Sequence, residues 1–436
     1  MNSIKPNVLL VSVDALTPSY VFSDLELPNI KKYFVQKGAY AEDGIRSVFP
    51  TFTYPCHQSI ITGAYPINHG IHNNIIFDPL NNTNNAWNWF TSKKVKNLWE
   101  ETKKNGYTSA STAFPTSLGA DGSYIIPEFW WNNSELDEVF INNLSNPQGI
   151  VDEIKKDIGK YPNGLDLTLD GDIQRFKSAM WLLDKKLLNK DEPFFLSTYF
   201  ASFDETMHVK GVYSKEAKEC LMEIDKMIGK LVEKVSAELT DGKGFIVALV
   251  SDHGSLDNHS NICPNTIFFK KGWLKLDEKE KIKDWQVFSN RAGGCSEIRI
   301  KDSGNEIYKE VKDILEDLVL DVNSGVLEVL DSEQCKKRNS FPNADFVIVS
   351  KKGYEIRDDY LGSYMRKDIA QKAQHGYSED FEEMYASFMI HGTNIPENKK
   401  IGKMNLIDIA PTLADIMNFK MNTADGVSKL KNILEA

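Results

Sequence analysis

Four short stretches of this chain carry residue types that could do chemistry together. They are "TYPCH" (Thr53–His57), "DETMH" (Asp204–His208), "SDHG" (Ser251–Gly254) and "HGY" (His375–Tyr377). In "DETMH" the acid and the imidazole are four positions apart, a spacing that sets both on one side of a helical turn. In "SDHG" Asp252 and His253 are adjacent where an apolar run ends, so both can turn toward one cleft. Asp14 ends another apolar run, "NVLLVSVD". A single strand-end aspartate usually caps the next helix, and a lone histidine such as His375 is more often a core or surface residue. Three such aspartates, two with a histidine in reach, outweigh that reading. Carboxylates and imidazoles without thiolates suit zinc or manganese in a catalytic site. The set is too large for one ion, and two divalent cations about 3.5–4 Å apart form a clamp used in phosphoryl chemistry. His69, His72, His259 and His391 carry no comparable signal.

"PTFTYPCHQS" (Pro50–Ser59) offers several nucleophiles at once. Pro55 suits the first position of a helix through "CHQSIITG" that stops near Gly63. Thr53 then lies at that helix's N-terminus, where free N–H groups and the dipole favour an anion. A threonine hydroxyl is a poor nucleophile until a metal lowers its pKa, as metals do for bound water. Cys56 and His57 are neighbours on a helix and point about 100° apart, so adjacency does not make them a thiolate–imidazole pair. Thr53 is the expected nucleophile, and Cys56 a small buried side chain.

These residues need elements to hold them. "NVLLVSVD" (Asn7–Asp14), "PFFLSTYFASFD" (Pro193–Asp204) and "GFIVALVSDHG" (Gly244–Gly254) read as buried parallel strands, continuous and not alternating in hydrophobicity. Ser214–Leu239 has apolar residues at three- and four-residue steps, which predicts a helix. Strands alternating with helices predict a doubly wound, mostly parallel α/β sheet with helices on both faces, and such sheets bind ligands at the carboxyl ends of their strands. Asn73–Trp89 is asparagine-rich and reads as a loop. From 285 to 359 the pattern changes to short β and α pieces, expected as a small inserted α+β subdomain, with residues 1–284 and 360–436 forming the catalytic core. Leu406–Met417 closes the pattern as a helix.

The chain has 436 residues and a formal net charge of −11. An acidic chain gains no counterion-release attraction to nucleic acid polymers or anionic membranes, so neither is an expected partner. The apolar run near the amino terminus is too short for a signal peptide or a membrane span. The five cysteines are widely spaced without a C-x-x-C pair, which suits a reducing compartment. The expectation is a cytoplasmic protein, a monomer or homodimer.

In order and spacing these motifs resemble the alkaline phosphatase superfamily, and within it the nucleotide pyrophosphatase/phosphodiesterase family in its bacterial form. Thr53–His57 matches that family's T-[FY]-P-x-H, and "TGAYPINHGIHNN" follows it. Asp14 in "VSVDA", Asp204 with His208, "SDHG" and His375 to Tyr377 match its metal motifs, although Phe203 and Met207 replace the family's proline and glycine. The resemblance implies one metal on Asp14, Thr53, Asp252 and His253, and another on Asp204, His208 and His375. It also implies that Asn74 hydrogen-bonds a phosphate oxygen and that Tyr54 flanks the leaving group.

The implied activity is hydrolysis of a phosphodiester or phosphoanhydride through a phosphothreonine on Thr53, with two divalent ions, zinc first and manganese second. The substrate would be a small phosphoester, a nucleotide among the candidates. Three carboxylates and one alkoxide give about −4 against about +4 from two divalent ions. A monoester dianion would favour one more cation, and the nucleophile motif has no arginine or lysine, so a diester or pyrophosphate fits better. The alternatives are a C–P bond hydrolase resembling phosphonoacetate hydrolase, a phosphomonoesterase, and a catalytically silent metal-binding protein. A sulfatase is disfavoured, because the resemblance to that branch would need C-x-P-x-R and "CPNTIF" at Cys263 does not match it.

Overall fold

A computed structural model describes residues 5–131, 136–161, 166–239, 243–301 and 305–435. Met1–Ile4, where the amino-terminal stretch begins, lie outside the described residues. The main sheet has eight strands: β1 (Asn7–Val13), β2 (Ala39–Tyr40), β3 (Thr108–Thr112), β4 (Tyr124–Ile126), β5 (Phe194–Phe200), β6 (Phe245–Val250), β7 (Phe388–Gly392) and β8 (Lys399–Lys400). Their order across the sheet is β8-β2-β7-β6-β1-β5-β3-β4. The run from β6 to β4 is parallel throughout, while β7 pairs antiparallel with both β6 and β2.

Burial on both faces explains the unbroken apolar runs. Leu9, Val11 and Val13 of β1 join one core with Leu221, Ile224 and Ile228, whereas Val8 and Leu10 join the other with Ile60, Ile61 and Leu413. Four helices matter for the site or its support: α1 (Thr53–Thr62), α2 (Ser202–Lys210), α3 (Lys215–Glu238) and α4 (Ile409–Ile416). The predicted Ser214–Leu239 helix is present as α3, and the Ser214 hydroxyl caps it by accepting from the Ala217 N–H at 3.2 Å. Helix α1 starts two residues earlier than expected, so Pro55 sits in its first turn, where a missing N–H leaves no intrahelical bond unmade. Gly63 ends it in the left-handed conformation, with φ of 71°.

One strand is shorter than its apolar run. The structure ends β5 at Phe200, and Asp204 lies on α2 instead of a strand end. Phe203, in the first turn of that helix, is fully buried, which extends the apolar run past the strand. Periodicity alone does not separate a buried strand from a buried helix start.

Beyond this sheet, Val287–Ala292, Cys295–Ile300, Phe346–Ser350 and Val326–Asp331 form a four-stranded antiparallel sheet in that order. Its apolar side packs with Val311 and Leu315 and also with Ile262, Phe268 and Ile356 from the flanking chain. The turn at Gly293 and Gly294 reaches the loop carrying His375, where the Gly294 N–H donates to the His375 carbonyl at 2.8 Å. A Cβ on Gly293 would stand 2.1 Å from that carbonyl oxygen, so the approach requires glycine. No helix among the described residues is long and apolar enough to cross a membrane. All five cysteines are buried free thiols.

Candidate active site

Because β1, β5 and β6 run parallel, the segments leaving them emerge at one edge of the sheet. Asp14 follows β1, and its N–H donates to the Phe200 carbonyl at 2.9 Å. Asp204 and His208 come from the helix after β5, and Asp252 and His253 from the turn after β6. The His375 loop is held there by the Gly376 N–H, which donates to the Thr51 carbonyl at 2.8 Å. The six acid and imidazole positions expected from the sequence therefore meet. Asp204, His253 and His375 place one ligand atom each within 4.8 Å of one another, and so do Asp14, Asp252 and His253. His208 Nε2 lies 2.9 Å from Asp204 Oδ2, and His253 Nε2 lies 3.0 Å from Asp252 Oδ2.

The three histidines are oriented alike. Nδ1 faces the Ala373 carbonyl at 2.7 Å in His208, the Gly254 carbonyl at 3.1 Å in His253 and the Thr51 carbonyl at 3.3 Å in His375. A carbonyl oxygen can only accept, so each Nδ1 carries the hydrogen and each Nε2 is turned into the site, as the outer-shell partner does for a metal-ligating histidine. Buried Asp14 Oδ1, Asp204 Oδ1 and Asp252 Oδ2 have no hydrogen-bond donor among the described residues. Two of the three remaining oxygens are held: Tyr199 donates to Asp14 Oδ2, and the Ala15 N–H donates to Asp252 Oδ1 at 3.1 Å.

Electrostatics agree with a cation-binding cluster. Burial, with Asp252 and Asp204 nearby, pushes the Asp14 carboxyl well up. Burial also opposes charge on Asp204, but His208 and His375 outweigh it and hold this carboxyl down at about 2. Burial disfavours a charged His208, yet Asp204 beside it holds the imidazole up at about 9. Burial and the neighbouring His253 drive His375 well down. Buried carboxylates this close disfavour one another's charge and are stabilised by positive charge placed between them. Oxygen and nitrogen donors of this kind, with unpartnered lone pairs turned inward, fit divalent cations.

Thr53 is the first residue of α1, and its Oγ1 lies 3.4 Å from His253 Nε2. Asn74, on the irregular loop expected at Asn73–Trp89, accepts the Tyr54 N–H on Oδ1 at 2.8 Å. That bond fixes the amide so that its NH2 group is the one left for a ligand. Thr53, Tyr54, Asn74, Asp14, Asp204, His208 and His375 all line a cleft of about 260 Å3. Tyr54 is only 1% exposed: its hydroxyl donates to Glu128 Oε2 at 2.7 Å, and its ring meets Trp87 edge-on at 5.3 Å. Cys56 stays apart from this chemistry, and His57 backs it, with Nδ1 3.4 Å from Asp252 Oδ2. Burial pushes the Cys56 thiol far up, while His57 has Nδ1 on the Thr53 carbonyl at 2.8 Å and Nε2 on the Ser12 hydroxyl at 2.9 Å.

Several cleft residues had no signal in the sequence. Glu128, Trp130, Arg291 and Glu355 line it, and none belongs to a motif; Glu205 also lines it, inside "DETMH" but with no role read from that spacing. Arg291 brings a cation that the nucleophile motif lacks, carried in by the second sheet.

Over residues 8–378 the chain matches the family model described as type I phosphodiesterase / nucleotide pyrophosphatase. It is similar to the bis(5'-adenosyl)-triphosphatase ENPP4 of Pongo abelii, with 23% identity over 439 residues, covering 98% of this chain and 81% of that protein. It is also similar to ectonucleotide pyrophosphatase/phosphodiesterase family member 1 of Mus musculus, with 26% identity over 249 residues. That match covers 57% of this chain and about a quarter (24%) of the much longer relative. Among solved structures, murine ectonucleotide pyrophosphatase / phosphodiesterase 5 shares the fold, with a TM-score of 0.68 at 19% identity, covering 98% of this chain and 99% of that one. The chain thus belongs to the type I phosphodiesterase / nucleotide pyrophosphatase family of the alkaline phosphatase superfamily, hydrolases acting on phosphoric ester bonds.

Proposed function

We propose that this chain hydrolyses phosphodiester or phosphoanhydride bonds in two displacements at phosphorus, with Thr53 as nucleophile. The observation that carries this reading is the shared orientation of His208, His253 and His375, each with Nε2 turned toward carboxylates at the helix end that presents Thr53. Two divalent cations, zinc by donor type and manganese second, would be held by Asp14, Thr53, Asp252 and His253 and by Asp204, His208 and His375. When bound they would supply the positive charge that lowers the threonine hydroxyl's pKa and offsets charge on the phosphoryl oxygens.

The chain's own residues do the positioning. The N-terminus of α1 aims Thr53 Oγ1 at phosphorus. The Asn74 NH2, its amide locked by the Tyr54 N–H, donates to a non-bridging oxygen in the transition state. Attack by Thr53 forms the Oγ1–P bond as the bond to the leaving oxygen breaks, and water later displaces Oγ1. The cleft's Phe52, Trp87 and Trp130 offer apolar faces for a group carried by the phosphate. A small phosphoester, with nucleotides among the candidates, is the substrate class. Five free buried thiols support a reducing, cytoplasmic setting. The test is turnover of bis(4-nitrophenyl) phosphate against 4-nitrophenyl phosphate with metal content measured on the same sample. Faster diester turnover is expected, and faster monoester turnover would favour a monoesterase.

A further inference from the structure

Five acids line the cleft: Asp14, Glu128, Asp204, Glu205 and Glu355. Arg291 is the one lysine or arginine among the described residues that lines it. Its backbone is tied on both sides. Asn73 Nδ2 donates to the Arg291 carbonyl at 2.9 Å, and the Arg291 N–H donates to Asp358 Oδ1 at 2.6 Å. Asn73 precedes Asn74, so the strand carrying the arginine is bonded to the loop carrying the amide proposed to face phosphate.

The side chain itself is loosely engaged. Asp358 Oδ2 lies 3.4 Å from Nε, the guanidinium forms no hydrogen bond among the described residues, and the side chain is 42% exposed. An arginine serving only to neutralise Asp358 would present two parallel N–H groups to that carboxylate. Here the closest approach is 3.4 Å, through Nε, and no N–H of the fork makes a hydrogen bond among the described residues, which leaves donors for another oxyanion.

We propose that Arg291 is a specificity residue that takes a second phosphate on the substrate, beside the phosphoryl group attacked by Thr53. This rests on the phosphoryl-transfer reading of the cleft. It predicts a preference for substrates whose scissile phosphorus is joined to a further phosphate.

The test measures binding and needs no turnover. Dissociation constants for orthophosphate, pyrophosphate and tripolyphosphate are obtained by calorimetry on metal-loaded wild type, Arg291→Gln and Arg291→Lys, with unfolding midpoints confirming the fold. The wild type should hold one of the two polyphosphates at least tenfold more tightly than orthophosphate. Arg291→Gln should lose that advantage while its orthophosphate affinity changes less than twofold, and Arg291→Lys should keep part of it. A polyphosphate advantage that survives in Arg291→Gln, or is missing from the wild type, overturns the proposal. An equal loss on orthophosphate also overturns it, because the arginine would then clamp the transferred phosphoryl group. Failure of the wild type to bind any of the three would overturn the phosphoryl-transfer reading as well, a result distinct from failure of Arg291 alone.

Discussion

The imidazoles of His253 and His375 stack at 3.9 Å, with their planes 17° apart. Both rings are buried, and both have Nδ1 on a backbone carbonyl. Two protonated rings at this distance would repel, so the arrangement favours lone pairs donated to cations over charge on both rings. Purified protein is expected to contain close to two equivalents of divalent metal. Chelation should abolish turnover and lower the unfolding midpoint, since a ligand present at about 100 times its Kd stabilises by about 2.7 kcal/mol. Full activity in exhaustively chelated protein would contradict this.

Thr53 and Cys56 can be separated by substitution. Thr53→Ala should remove nearly all turnover and retain metal, because six other ligands remain. Cys56→Ala should cost about 1–3 kcal/mol of stability, as for a small buried group, and leave kcat within a few-fold. Loss of catalysis in folded Cys56→Ala, with activity kept in Thr53→Ala, would reverse the assignment.

Asn74 and Tyr54 touch each other but should fail differently. Removing one preorganised donor typically costs a hundred- to a thousandfold, roughly 2.7–4 kcal/mol, so Asn74→Ala should slow every phosphoester by a similar factor. Tyr54→Phe keeps the ring and the backbone N–H but leaves buried Glu128 without its hydroxyl donor. It should cost about 1–3 kcal/mol of stability with little change in kcat/KM. Tyr54→Ala should slow aryl and nucleotidyl diesters more than methyl ones if the ring faces the leaving group. Equal losses on all three would make Tyr54 a support for the loop, as its 1% exposure suggests.

Glu128 predicts a pH dependence of stability. Burial pushes its carboxyl up from 4.5 to about 7, against the opposing effects of the Tyr54 hydroxyl and Arg175. The folded state therefore binds this proton more tightly than the unfolded chain. Stability falls as pH rises from about 4.5 to about 7 and levels off above that. Glu128→Gln should flatten this part of the profile and gain up to about 3 kcal/mol relative to wild type above pH about 7. Parallel profiles for the two proteins, from denaturant melts across that range, would exclude the effect.

What the sequence made legible follows from how each residue is placed. Asp14 and Asp252 could be read because a strand buried on both faces makes an apolar run with a sharp end. Asp204 reads as a strand end but lies on α2, because Phe203, buried in the first turn of that helix, continues the apolar run beyond β5. His375 drew its signal only from company, since one histidine before a glycine is common. Arg291 and Glu128 were silent. Their roles depend on how the second sheet and a distant loop dock over α1, and no local spacing encodes a contact of that kind.

The most direct check on Thr53 is the configuration at phosphorus after turnover of a chiral phosphorothioate diester in isotopically labelled water. Displacement by Thr53 followed by displacement by water inverts phosphorus twice, so the predicted outcome is net retention. Net inversion would mean that water attacks the substrate in a single step, and the role given to Thr53 would be wrong.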